Sequence, residues 1–147
     1  MSRVQLAINV SNIESAVTFY SKLFDAVPAK REPGYANFTI VDPPLKLVLI
    51  EQVGGRVGGL GGALNHLGVE VETADEVTRA TRRLSGEGLE VDEQMGATCC
   101  YAVQDKVWVD DPDGAPWEVY TVLTDAPTET GIQGDGACCG LADGAVT

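Results

Sequence analysis

Two stretches of the chain share one alternating pattern of apolar and polar residues. Segment 5–10 reads QLAINV and segment 66–71 reads HLGVEV. In both, an apolar side chain occupies every second position, which is typical of a strand with one buried face. Such similarity at a distance of 61 residues predicts two copies of one structural unit.

A helix start is predicted after each of these strands. Ser11 and Glu14 have the spacing of a capping box, and so do Thr73 and Glu76. Apolar residues then recur at helical spacing, at Ile13, Ala16, Val17, Tyr20, Leu23 and Phe24 in the first copy and at Val77, Ala80 and Leu84 in the second. The second helix is expected to end near glycines 86 and 88.

Short strands are predicted after each helix. They span 29–32, 35–41 and 45–51 in the first half, and 90–94, 106–110 and 117–122 in the second. Asp-Pro-Pro at 42–44 and Asp-Pro-Asp-Gly at 111–114 predict turns. Each half therefore reads βαβββ, which gives an α+β fold of two tandem modules.

Two segments have the composition of connectors. Residues 54–62 include six glycines and predict a flexible linker between module 1–53 and module 63–123. They lack the strand–GxGxxG–helix context of a phosphate loop. Residues 124–147 are rich in Gly, Ala, Asp and Thr and predict a flexible, disordered tail. A single domain over 1–123 is therefore expected.

Overall composition excludes several classes of function. The 147 residues carry 22 acidic and 10 basic side chains, a net charge of −12, which disfavours binding to nucleic acid. No apolar run is long enough for a membrane span, and the N-terminus does not resemble a signal peptide. We therefore expect the protein to be in the cytoplasm, a compartment in which thiols stay reduced.

The four cysteines form two adjacent pairs, Cys99-Cys100 and Cys138-Cys139. A disulfide between neighbours would close almost no loop and would stabilise little. Two adjacent thiolates instead suit one soft metal or metalloid. The alternative is a pair of inert thiols, since free cysteine often packs as a small apolar residue.

Gln5, His66 and Glu118 are candidate metal ligands. Gln5 and His66 occupy equivalent positions in the repeated strands, on the face opposite the apolar row. Glu118 lies in an apolar strand, where a buried carboxylate needs a positive partner. Each residue alone also suits a solvated strand position. Together they would leave coordination positions open, as in non-haem Fe(II) oxygenases, although those enzymes usually supply two histidines.

The repeated strands, the 111–114 turn and the Trp117-Glu118-Val119 segment resemble the vicinal-oxygen-chelate superfamily of glyoxalases and extradiol dioxygenases. The resemblance covers residues 4–123. It implies a curved mixed sheet around a divalent metal, with ligands from the first and last strand of each module. A fourth ligand would fall at Leu47 or Leu49. Neither side chain binds metal, which counts against glyoxalase activity.

More narrowly, segment 96–108 reads GATCCYAVQDKVW and resembles the organoarsenical carbon–arsenic lyases and related cadmium-induced proteins. This implies Fe(II)- and O2-dependent cleavage of the carbon–arsenic bond in trivalent methyl or aryl arsenicals, with release of arsenite. The Fe(II) would be held by Gln5, His66 and Glu118. Other divalent metals are also expected to bind the isolated protein.

The same resemblance implies that Cys99 and Cys100 bind the arsenical. They are expected in a long loop after strand 90–94, since loops at the mouth of a scaffold often carry binding residues. Aromatic residues of this kind are more often part of the core. Because they lie near the cysteine pair in the sequence, Tyr101 and Trp108 are the aromatic residues expected in the substrate cavity. The pair Cys138-Cys139 would capture metal incidentally, or else deliver arsenicals to the first pair.

Two other functions stay open. One is a non-enzymatic protein that sequesters cadmium or arsenic through its thiols. The other is a drug-binding protein of the same fold without a metal. A two-module chain is compatible with a monomer and with a homodimer.

Overall fold

The computed structural model describes residues 2–52, 63–99 and 101–125. Along the chain they form β1 (Arg3–Val10), α1 (Ile13–Phe24), β2 (Lys30–Glu32), β3 (Tyr35–Ile40), β4 (Leu45–Glu51), β5 (Leu64–Glu70), α2 (Ala74–Gly86), β6 (Asp92–Cys99), β7 (Ala102–Asp110) and β8 (Pro116–Asp125). The predicted linker, Cys100, Cys138 and Cys139 lie outside the described residues.

All eight strands belong to one curled sheet with the order β2-β3-β4-β1-β5-β8-β7-β6. The pairs β1–β4 and β5–β8 are parallel, and β1 and β5 meet in the middle as antiparallel neighbours. Leu6 lies opposite Leu67 at that junction. Rotation about this point exchanges the two βαβββ modules, so the predicted duplication and fold class are confirmed.

Both helices cover one face of the sheet, which we call the outer face. Ile13 and Val17 of α1 pack there with Phe38, Leu47 and Leu49. Leu6, Ile8 and Val10 of β1 join this cluster, as their alternation predicts. In the second module Val77 and Ala80 pack on Val107. The opposite, inner face therefore receives the other residues of β1 and β5.

The helix starts differ in one detail from the sequence prediction. Thr73 and Glu76 form the predicted capping box of α2. The first capping box is wrong, because Asn12 rather than Ser11 caps α1 and accepts a hydrogen bond from Ser15 N at 2.9 Å.

No helix in the described part of the chain has both the length and the apolar character needed to cross a bilayer.

The β6–β7 hairpin is longer than predicted. Gly96 adopts φ +63° inside β6, a value that glycine tolerates best, and its N–H donates to Asp105 Oδ1 at 2.7 Å. The resulting bulge between Gln94 and Ala97 shifts the pairing by one residue and interrupts the sequence alternation. The long loop expected around the first cysteine pair is therefore wrong, because Cys99 ends β6 and pairs with Ala102.

The last strand also continues past its predicted end. Thr124 and Asp125, which the sequence assigns to the tail, extend β8 by pairing with β7. The residues beyond Asp125 lie outside the described part of the chain.

Candidate metal centre

Three adjacent strands bring Gln5, His66 and Glu118 together on the inner face. Their exposed fractions are 4%, 1% and 1%, which excludes solvated strand positions. Gln5 Nε2 lies 3.0 Å from His66 Nε2 and donates to Glu118 Oε1 at 2.8 Å. His66 Nε2 lies 3.3 Å from the same carboxylate oxygen. The convergence predicted from the repeat is thus present in the structure.

Gly68 makes room for this cluster. It lies opposite Gln5 on one side and opposite Glu118 on the other. A Cβ atom at Gly68 would lie 3.0 Å from Glu118 Cγ and 3.3 Å from Gln5 Nε2. Because both separations are shorter than ordinary van der Waals contact, any larger residue at this position would push the side chains of Gln5 and Glu118 away from their present positions.

A chain of amides orients the His66 ring. Asn9 Oδ1 accepts from Gln52 Nε2 at 2.7 Å and from Asn65 Nδ2 at 2.9 Å. This bond turns Asn65 Oδ1 towards His66 Nδ1, 2.7 Å away. Since a carbonyl oxygen only accepts, His66 Nδ1 carries the hydrogen in the neutral ring. The lone pair of Nε2 therefore points towards Gln5 and Glu118.

Lys106 provides the positive partner of Glu118. Its ammonium Nζ, equally buried, donates to Glu118 Oε2 at 2.9 Å and lies 5.4 Å from the centre of the Trp108 ring. Burial alone would raise the pKa of Glu118, but the charge of Lys106 and the adjacent His66 ring together outweigh it and hold the pKa at about 2. The carboxylate is therefore ionised, with Oε2 taken by Lys106 and Oε1 facing Gln5 and His66.

Tyr120 and Glu70 lie behind Gln5. The Tyr120 hydroxyl contacts Gln5 Oε1 and lies 2.8 Å from Glu70 Oε2. Burial would raise the pKa of Glu70, but Lys46 and Arg3, each 2.9 Å from the carboxylate, keep it below its usual range. Burial and the Glu70 charge raise the pKa of Tyr120 above its usual range, so its hydroxyl keeps the proton.

The donor set fits a divalent cation. Ligands about 2.1 Å from a metal and at right angles to each other are about 3.0 Å apart. Gln5 Nε2, His66 Nε2 and Glu118 Oε1 are separated by 2.8, 3.0 and 3.3 Å, so an amide oxygen in the place of Gln5 Nε2 would have the spacing of a ligand. Among the described residues there is no group of three or more His, Cys, Asp or Glu side chains placed to hold a metal. The third ligand would be the amide oxygen of Gln5.

The predicted fourth position is wrong. Leu47 and Leu49 face outward and pack beneath α1. The register of β1 with β4 places Val48 opposite Ala7, just as Gly68 lies opposite Glu118 in the second module. Val48 faces inward and is the counterpart of Glu118. It binds no metal either, so three protein ligands remain.

The two aromatic residues predicted near the substrate lie in different surroundings, Trp108 beside His66 and Tyr101 beside Tyr35. The Trp108 ring lies edge-on to His66, with the ring centres 5.3 Å apart. Tyr101 packs its ring 5.6 Å from Tyr35 of the first module, and its carbonyl accepts from Lys30 Nζ at 2.8 Å. Cys99 contributes the last backbone position of β6, and the binding roles of both cysteine pairs stay predictions.

Sequence reasoning missed four residues around the cluster, namely Gly68, Asn65, Lys106 and the hydroxyl of Tyr120. Lys106 had a usable signal, because it alternates with Trp108 in a strand that is otherwise largely buried. A lysine at such a position predicts a buried acidic partner. The other three depend on which strands are neighbours, which one sequence does not reveal.

Residues 3–119 match the family described as the glyoxalase/bleomycin resistance protein/dioxygenase superfamily. The chain belongs to this superfamily. The cadmium-induced protein CadI of Mycobacterium tuberculosis is 59% identical over 128 residues, covering 87% of this chain and 81% of CadI. The trivalent organoarsenical cleaving enzyme of Thermomonospora curvata is 55% identical over 139 residues, covering 95% and 89%.

A solved structure shares the fold. The 2,3-dioxygenase LapB of Pseudomonas sp. KL28 superposes with a TM-score of 0.62 at 16% identity, over 88% of this chain and 44% of LapB. At this identity the likeness concerns the fold alone. It agrees with the curled sheet of two βαβββ modules.

Proposed function

We propose that this protein cleaves the carbon–arsenic bond of trivalent organoarsenicals in a reaction that requires Fe(II) and O2 and releases arsenite. The observation that carries the proposal is the convergence of Gln5, His66 and Glu118 on the inner face. It occurs in a chain 55% identical to a trivalent organoarsenical cleaving enzyme. The substrate is a small molecule, bound within the curled sheet.

The residues around the cluster prepare it for a cation. Asn65 keeps the Nε2 lone pair of His66 available, and Lys106 leaves Glu118 Oε1 without a competing cation. Fe(II) held by these two atoms and the Gln5 amide would supply the redox activity that lets O2 react. An imidazole, an amide and one carboxylate oxygen would leave coordination positions open for O2 and substrate.

The overall reaction balances without an external reductant. For a methyl substituent it is CH3As(OH)2 + O2 → As(OH)3 + CH2O. The carbon–arsenic bond breaks and arsenic stays trivalent. The carbon loses four electrons and O2 accepts four, so formaldehyde is the expected carbon product. Exchange of thiolates for hydroxide on arsenic does not alter this balance.

Cys99 and Cys100 are proposed to hold the arsenic atom. A trivalent arsenical with one organic group has two exchangeable positions, and adjacent thiolates satisfy both. The backbone of Cys99 pairs with Ala102, four residues along β7 from Lys106. Lys30 and Tyr35 of the first module hold Tyr101 at the end of this hairpin. Binding at a hairpin anchored across both modules would limit the motion of the substrate.

The test is loading of the purified protein with Fe(II) without oxygen, addition of methylarsenite, and then admission of air. Arsenite and formaldehyde should appear in equal amounts, only when Fe(II) and O2 are both present. Cys99→Ser/Cys100→Ser should abolish arsenical binding and keep the iron. The matched control is Cys138→Ser/Cys139→Ser, which should retain cleavage. Normal cleavage by the first double variant would disprove the thiol role.

A second function is favoured by the 59% identity to a cadmium-induced protein. A protein that only sequesters soft metals would bind Cd2+ or arsenite through its thiols without turnover. It would also be indifferent to His66→Ala, since the imidazole would have no part in thiolate binding. Stoichiometric arsenical binding that survives His66→Ala, with no arsenite released by either protein, would favour sequestration.

A further inference from the structure

The Tyr120 hydroxyl has more acceptors than hydrogens. It contacts Gln5 Oε1 and lies 2.8 Å from Glu70 Oε2. Both partners are acceptor oxygens, but a protonated phenol has one hydrogen to donate. One of the two oxygens therefore faces a lone pair of the hydroxyl, which is costly at a buried site.

Glu70 is a stronger acceptor of the Tyr120 hydroxyl hydrogen than Gln5. Its carboxylate accepts from Arg3 Nη2 and pairs with Lys46 Nζ, each at 2.9 Å, so it is held in place and ionised. Hydrogen bonds to a charged acceptor are roughly twice as strong as those between neutral groups. The Tyr120 hydrogen therefore belongs to Glu70, and the phenol oxygen is left to accept a bond from Gln5.

Rotation of the Gln5 amide by half a turn resolves the conflict. The two ends of a glutamine amide have nearly the same shape, and the hydrogen-bond network decides their orientation. After rotation Nε2 donates to the Tyr120 oxygen. The amide oxygen then faces His66 Nε2 and Glu118 Oε1. Three lone-pair donors would be directed at one point, an arrangement that is stable when a cation occupies it.

We infer that Tyr120, anchored by Glu70, is a positioning residue that directs the amide oxygen of Gln5 towards the cation. The inference rests on the metal centre of the proposed function. The anchor joins both modules, because Arg3 and Lys46 come from β1 and β4, whereas Glu70 and Tyr120 come from β5 and β8. In the opposite amide orientation, which this structure has, Nε2 donates to Glu118 Oε1 instead.

The test is calorimetric titration of the metal-free, full-length protein with Mn2+. Loss of an outer partner of a metal ligand typically weakens affinity 10–100-fold. Tyr120→Phe should therefore raise the Mn2+ dissociation constant at least about tenfold. Tyr35→Phe is the matched control, because it removes another buried phenol, bonded to Asn37 and not to a ligand. Its dissociation constant should stay within about twofold of the wild type.

A second readout follows the amide itself. In 15N-labelled protein saturated with Zn2+, the side-chain amide hydrogens of Gln5 should show nuclear Overhauser contacts to the Tyr120 ring. Gln5→Glu identifies the resonance by its loss. Amide hydrogens that remain near His66 in the Zn2+ complex would overturn the inference.

The outcomes separate this inference from the metal centre. His66→Ala should abolish Mn2+ binding. If it does, and Tyr120→Phe binds as tightly as the wild type, the positioning role is wrong and the metal centre stands. Equal weakening by Tyr35→Phe would also overturn the positioning role, because the effect would then be one of general packing. If His66→Ala binds Mn2+ with the same dissociation constant as the wild type, both the metal centre and this inference are wrong.

Discussion

The two modules share one backbone plan and differ in what they place on the inner face. In the first module, that face is mainly apolar, with Ala7, Tyr35, Val48 and Ile50 packed against Tyr101. In the second module it carries His66, Lys106 and Glu118, all buried. Of the three predicted metal ligands, the first module contributes the amide of Gln5, whereas the second contributes the imidazole of His66 and the carboxylate of Glu118, with Lys106 paired to that carboxylate.

This difference shows that duplication fixes positions and not chemistry. Gln5 corresponds to His66, Ala7 to Gly68 and Val48 to Glu118 through the same strand pairings. A fully symmetric site would hold two carboxylates at one cation. Replacement of one by valine leaves a single carboxylate, which one lysine already neutralises in part. The asymmetry therefore sets the charge of the centre.

The largest expected effect comes from the corresponding residues Glu118 and Val48. Glu118→Gln keeps the size of the side chain but removes the charge that binds a cation. We expect arsenite release to fall by more than about 100-fold, beyond what loss of an outer partner costs. Stability should also fall by roughly 3–5 kcal/mol, because Lys106 is left buried without its counter-charge. Arsenite release in air after anaerobic loading with Fe(II) measures the first effect, and urea unfolding measures the second.

Val48→Thr is the control at the corresponding position. A buried hydroxyl without a partner costs about 1–3 kcal/mol, so this variant is destabilised as well. Turnover should nevertheless stay within about threefold of the wild type, because no charge at the centre changes. Equal losses of turnover in the two variants would mean that stability, and not the carboxylate, limits activity.

The repeat allowed the three inner residues to be predicted together. A period of two fixes the face of every residue in a strand, so Gln5 and His66 had to share a face once their strands were aligned. Glu118 was predicted because a carboxylate in an apolar strand needs a positive partner, and the resemblance implied ligands from the first and last strand of each module. The face of each of these residues depends on local periodicity, which the sequence contains.

The remaining positions depend on register and on bulges. The sequence prediction put Leu47 or Leu49 at the fourth ligand position, one residue away from Val48, which faces inward. A shift of one residue exchanges the two faces of a strand. The bulge at Gly96 interrupts the alternation of the sequence, so the second half of β6, which includes Cys99, was not predicted as a strand. Such features depend on contacts such as that of Gly96 with Asp105, between neighbouring strands.

A smaller effect should come from Gly68 and its counterpart Ala7. Gly68→Ala adds a Cβ that meets Glu118 Cγ at 3.0 Å and Gln5 Nε2 at 3.3 Å. Because both are ligands of the proposed cation, Mn2+ affinity should fall about tenfold. Ala7→Gly makes the modules alike at this position and should cost about 0.5–1 kcal/mol of stability without loss of affinity. Unchanged Mn2+ affinity in Gly68→Ala would refute the close approach described here.

The smallest effect concerns the contact of the first module with the cysteine-bearing hairpin. Lys30→Met removes the bond from Nζ to the Tyr101 carbonyl, while its pairing with the exposed Asp125 contributes little. Loss of about 1 kcal/mol should speed amide exchange near Tyr101 roughly fivefold. The arsenical KM should rise by a similar factor at constant kcat, because a looser hairpin binds the arsenical less well.

The control is Lys22→Met, on the exposed last turn of α1, which should change neither the exchange rate nor the KM. Unaltered exchange in Lys30→Met would show that the bond from Lys30 does not hold the hairpin.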